Sequence, residues 1–105
     1  MKKTKITKIT REMINRRNYW LTVVSRVTGI APVLIMGRSR KQQIVIARHL
    51  LAWALHRLDG FTLMQVGQLV GHNHASVYHS VGIVEDLNAT SKPYAKVINE
   101  MTMRR

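Results

Sequence analysis

The stretch Phe61 to Leu87, FTLMQVGQLVGHNHASVYHSVGIVEDL, predicts two short helices joined by a tight turn. Thr62 suits the cap of the first helix, on which Leu63, Val66, Leu69 and Val70 recur at helical spacing. Gly71 ends that helix, because glycine enters the left-handed region without a Cβ penalty. Asn73 then suits the cap of a second helix, whose Val77, Val81, Val84 and Leu87 form one apolar stripe. Outside the stripe, near the start of this helix, stand His74, Ala75, Ser76 and His79, which are small or hydrogen-bonding and include no acid. A helix-turn-helix places this part of its second helix in the DNA major groove.

The remainder of the chain fits that reading. Its 105 residues suffice for one small domain, and 46% are hydrophobic, so a folded core is expected. There are 17 Lys and Arg against 5 Asp and Glu, for a formal charge of +12. Such an excess on a short chain points to a polyanionic partner, nucleic acid before membrane, although a basic surface that is merely solvated has the same composition. The charge is lopsided: residues 1–41 hold 11 basic and 1 acidic side chains, residues 42–105 only 6 and 4. Phosphate binding is therefore expected to come largely from the N-terminal half and not from the second helix of the pair. The absence of cysteine excludes disulfides, thiolate metal sites and cysteine nucleophiles. No apolar segment follows the basic N-terminus as a secretory signal requires, and no apolar run approaches the ~20 residues of a membrane span. A cytoplasmic protein with no membrane partner is expected.

Taken in order, residues 1–8 read as a flexible basic arm and 9–105 as a single all-α domain of about five to six helices. A first long helix is predicted over residues 9–29, with Met13, Tyr19 or Trp20, Val23, Val24 and Val27 on its apolar face and Arg11, Arg16, Arg17 and Arg26 mostly off it. Pro32 opens a short helix that Gly37 breaks, and Arg38–Lys41 form a basic linker. The next helix, from about Lys41 to Leu58, carries a wide stripe from Ile44 to Leu58 and keeps Lys41, Arg48, His49 and His56 away from its centre. After the helix pair, residues 88–93 read as a loop, and a last helix runs from Tyr94 to about Met103 with Ser91 or Lys92 as its cap.

From Thr22 to Leu87 this order of features resembles the C-terminal DNA-binding domain of DnaA, the bacterial replication initiator. The resemblance rests on a helix ending VTGI, the linker GRSRK, the helix ending ARHLLAWALHRLDG, then TLMQVGQLVG and HNHASVYHSV. It implies a helical fold and double-stranded DNA as the partner. The departures are a turn around Gly71 one residue shorter, Asn73 for the family's aspartate, His72 for its arginine and Ala75 for a hydroxyl residue. The chain has no GxxxxGK[ST] loop, so no nucleotide site is expected, and the initiator's own DNA site is not implied.

By this resemblance His74 and Ser76 match positions that touch DNA in the major groove, where an imidazole and a hydroxyl can bond base edges or phosphate. His74 has a second reading as a residue that closes the turn. Asn73 is either a cap or a reader of adenine, Ala75 offers a methyl to a thymine methyl, and His79 meets a phosphate or is a plain surface histidine. Arg40 matches the family arginine of the minor groove, where a guanidinium gains most in narrow A-tracts; the alternative is a solvated linker charge. Arg48 and His49 match positions near the DNA backbone, and Lys41 adds a charge beside them. Trp20 and Trp53 are expected in a core or an interface and not in a binding pocket. His72, His74 and His79 lack a fourth ligand at a telling spacing, so no metal or other cofactor is expected. No set of nucleophile, base and orienting residue is visible, so no enzyme is expected. The competing functional class is a helical protein–protein interaction module with nonspecific DNA or RNA binding.

Overall fold

In a computed structural model, which describes residues 8–105, the chain forms α1 (Arg11–Thr28), α2 (Pro32–Ile35), α3 (Gln42–Trp53), α4 (Leu63–Val70), α5 (His74–Thr90) and α6 (Lys92–Met103). No strand occurs among the described residues, and the all-α fold expected from the sequence is the one observed. Apart from Lys8, the expected basic arm lies outside them.

The central helix is α3. Ile44, Ile46, Ala47, Leu50, Leu51, Ala52 and Trp53 are all buried, because α5, α1, α2 and α4 pack around it. From α1 come Met13, Trp20, Val23 and Val24, so Trp20 and not Tyr19 occupies the apolar face. The α5 stripe supplies Val77, Val81 and Val84, while Ile98 and Met101 of α6 close the core beside α5 and α1. Both tryptophans are buried, as the spacing predicts.

The long helix does not end as a plain α-helix. It widens into a π turn over Ala54–Leu58, and the Asp59 N–H donates to Ala54 O at 3.1 Å. Short π segments of this kind relocate the residues that follow them. Here the π turn brings Asp59 against α1, where its carboxylate accepts from Arg16 Nε and Nη2, each at 2.9 Å, and from the Trp20 indole at 3.0 Å. His56, which the sequence leaves free, is half-buried, with Nδ1 2.7 Å from Phe61 O.

Residues 88–93 are not a loop. The backbone remains helical to Thr90, and Ser91 alone separates α5 from α6. Ser91 is extended; its N–H donates to Leu87 O, and its hydroxyl accepts from the Tyr94 N–H. Asn88, Ala89 and Thr90 are exposed, so they add a polar turn to α5 without burying any polar group. That is why their polarity misleads a reading based on composition.

Two arginines of the first helix have partners inside the fold. Arg16 binds Asp59, and Arg17 Nη1 donates to Leu69 O at 2.6 Å, satisfying a carbonyl at the end of α4. The basic groups of the N-terminal half are therefore not all directed outward.

Candidate nucleic-acid interface

The helix pair is defined by its caps. Thr62 Oγ1 accepts from the Gln65 N–H at 3.1 Å, and Gln65 Oε1 accepts from the Thr62 N–H at 2.9 Å, a reciprocal capping box at the start of α4. Gly71 ends α4 at φ 80°, and its N–H and that of His72 both donate to Gly67 O, at 2.8 and 2.9 Å. Asn73 Oδ1 accepts from the Ser76 N–H at 2.8 Å and starts α5. The connection is thus only Gly71–His72–Asn73. It is so tight that a Cβ at Gly67 would lie 2.4 Å from His72 O.

Beside this turn runs a groove of about 970 Å³, walled by the end of α2 and the basic linker, by α3, and by the start of α5. Arg40, Arg48, His49, Asn73, Ala75, Ser76 and His79 all line it. Two sequence-predicted residues, Lys41 and His74, are exposed but stand outside its wall. The structure adds Arg38, Ser39 and His72 to the lining, and among the described residues no acidic side chain borders it. His74 and Ser76 are both exposed, as contact with a base requires.

Arg48 is not a free surface charge. Its Nε donates to Ile35 O at 2.8 Å and its Nη2 reaches Leu34 O at 3.5 Å, so it closes the C-terminal end of α2. A guanidinium has five N–H groups, which leaves donors for a phosphate while the arm is held in place.

His49 is half-buried, with Nδ1 2.7 Å from Ser80 Oγ and its ring edge-on to His79, centroids 6.0 Å apart. Burial, then the neighbouring His79, Arg48 and His72, push its imidazole below the ordinary value of 6.5. The unfolded chain takes up this proton at a higher pH than the folded one. The stabilisation is therefore complete above the unfolded pKa of 6.5 and is lost as pH falls through the lower folded value. His49→Gln should flatten this acid-side loss while keeping a polar neighbour for Ser80. Thermal melts from about pH 8 to about pH 5 check it, and an unchanged slope would assign the acid lability elsewhere.

The model of the bacterial DnaA helix-turn-helix family matches residues 21–84. The chain belongs to this family. The matched span covers the C-terminal part of α1, all of α2 to α4 and most of α5, including the whole groove. Among similar proteins are chromosomal replication initiator proteins DnaA. That of Kosmotoga olearia is 30% identical over 86 residues, covering 77% of this chain and 19% of the relative. That of Deinococcus radiodurans is 28% identical over 76 residues, 72% of this chain and 16% of the relative, and that of Flavobacterium psychrophilum 26% over 88 residues, 83% and 18%. The chain therefore spans about a fifth of the length of these DnaA relatives. Membership in the DnaA family supports DNA binding through the helix-turn-helix. Among the described residues no helix is long and apolar enough to cross a membrane, and no group of three or more His, Asp or Glu side chains is placed to hold a metal ion.

Proposed function

We propose that this chain reads specific sequences in double-stranded DNA, with the start of α5 in the major groove and the 38–41 linker on the adjacent backbone and minor groove, and that it serves control of transcription or replication, including that of a mobile element. One observation carries the reading: a single acid-free groove joins Arg38, Arg40 and Arg48 to the exposed first turn of α5. Cations beside small hydrogen-bonding side chains are the pairing that phosphate grip and base readout require. The replication role rests on the relatives, which are chromosomal replication initiator proteins. The competing reading, a helical interaction module that binds nucleic acid nonspecifically, is favoured by the exposed apolar Val33, Leu34 and Met36 around α2.

Mutants separate the two. Arg40 makes no hydrogen bond with any described residue, whereas Arg48 also holds α2, so Arg40 is the cleaner probe. Arg40→Ala should erase preference for an A/T-rich stretch beside the major-groove contacts and leave the other positions intact. His74→Ala should relax preference at one or two positions, costing ~1–3 kcal/mol on the best site. Binding to specific and random duplexes at one salt concentration is the measurement. Equal loss by both mutants on both duplexes would contradict the division and favour the nonspecific module.

A further inference from the structure

We propose that Asn73 selects a base bearing a major-groove hydrogen-bond acceptor and rejects cytosine at one position of the site, an inference that rests on the DNA reading above. Asn73 is exposed and lines the groove beside Ala75 and Ser76. Its backbone is extended (φ −81°, ψ 168°), and its side chain is committed at one end only: Oδ1 accepts from the Ser76 N–H at 2.8 Å. The assignment of oxygen and nitrogen is chemical, since the amide nitrogen cannot accept from an N–H. The cap therefore turns the oxygen toward the helix backbone and leaves the two N–H donors of Nδ2, which have no partner among the described residues.

That asymmetry decides what Asn73 can read. An unconstrained asparagine pairs with adenine through oxygen and nitrogen together. Here the oxygen already accepts from the first turn of α5 and is turned toward the helix backbone, so the free end of the side chain is its donor end. In the major groove guanine offers two acceptors, N7 and O6; adenine offers N7 and thymine O4. Cytosine offers only its amino donor, so an amide donor facing it would lose its water and gain no partner. Guanine is the favoured base and cytosine the excluded one.

Asn73→Asp tests this without removing the cap, because aspartate caps as well as asparagine and suits the positive end of the helix. Its free oxygen accepts and cannot donate. Motifs are selected from a random duplex pool with each protein, and matched thermal melts show that the fold is kept. The two motifs should differ at one position, where an acceptor-bearing base, guanine foremost, gives way to cytosine or adenine. On duplexes that differ only there, the wild type should prefer its own base over cytosine by about fivefold to a hundredfold, and Asn73→Asp should reverse the order. Asn73→Ser, which keeps a cap and removes the amide, should relax that one position. Identical motifs for wild type and both variants, or cytosine selected by the wild type at the position that changes, would overturn the inference and leave the DNA reading standing. No motif with any of the three proteins would overturn both.

Discussion

Gly67→Ala is expected to lower stability by about 3 kcal/mol, a drop in Tm of roughly 12–24 °C for a domain of this size. The cause is local and steric. Gly67 lies in the middle of α4 and is buried, and its absent Cβ would lie 2.4 Å from the His72 carbonyl oxygen and 3.4 Å from the Asn73 carbonyl carbon. Both neighbours are backbone, so no side chain can swing aside. The turn itself must open, and with it move the Gly71 and His72 N–H groups that donate to Gly67 O. The displaced segment starts α5, so base preference should fall further than the loss of folded protein accounts for. Gly82→Ala is the control. It lies within α5, a Cβ there meets nothing within 4 Å, and alanine should raise stability by about 0.8 kcal/mol. Urea unfolding of the two variants checks the pair. Equal effects would mean that the turn is looser than the Gly67 contact implies.

Asp59→Ala should be nearly as damaging. The Asp59 carboxylate is 9% exposed and takes three hydrogen bonds, two from Arg16 and one from the fully buried Trp20. Removal leaves an indole N–H without a partner and a guanidinium held over the Tyr19 and Trp20 rings. Breaking a buried pair costs about 3–5 kcal/mol. Arg16 is itself 37% exposed and regains water, which places this case near the lower end, about 3 kcal/mol. Asp59→Asn retains one carbonyl oxygen for these donors and should lose less. A change within ~0.5 kcal/mol for Asp59→Ala, the range of an ordinary surface substitution, would mean that the π turn is held by apolar packing alone.

The helix pair was legible because its signals are local. Thr62, Gly71 and Asn73 act within a few residues of themselves, and the stripe of α5 needs only its own period. Trp20 and Trp53 were likewise legible from helical spacing. What the sequence hid is the use of charge across distance. Arg16, Arg17 and Arg48 look alike as basic residues, yet they meet a carboxylate and helix-end carbonyls that lie 43, 52 and 13 residues away. Only the packing of α1 against the π turn and α4, and of α2 against α3, brings those acceptors into reach. The π turn was hidden for the same reason, since Ala54–Leu58 continues the α-helical apolar pattern and departs from it where Asp59 meets α1. Gly67 could have been noticed as a glycine within a helical run, but its neighbour, the His72 carbonyl, becomes visible only when the turn is folded.

The groove was half legible. Its α5 wall follows from helix position, while the joining of that wall to Arg38 and Arg40 depends on how α3 lies between them. The pairing of His49 with Ser80 crosses 31 residues and has no local sign.

The central claim, that this groove reads sequence in double-stranded DNA, is tested most directly by selecting binding sites from a random duplex pool and measuring the winners against random duplex and RNA at one salt concentration. A short motif with an A/T-rich stretch beside the bases read by α5 is expected, with a selected duplex bound about a thousandfold or more tighter than random sequence. A pool that shows no enrichment, with random duplex and RNA bound alike, would contradict it.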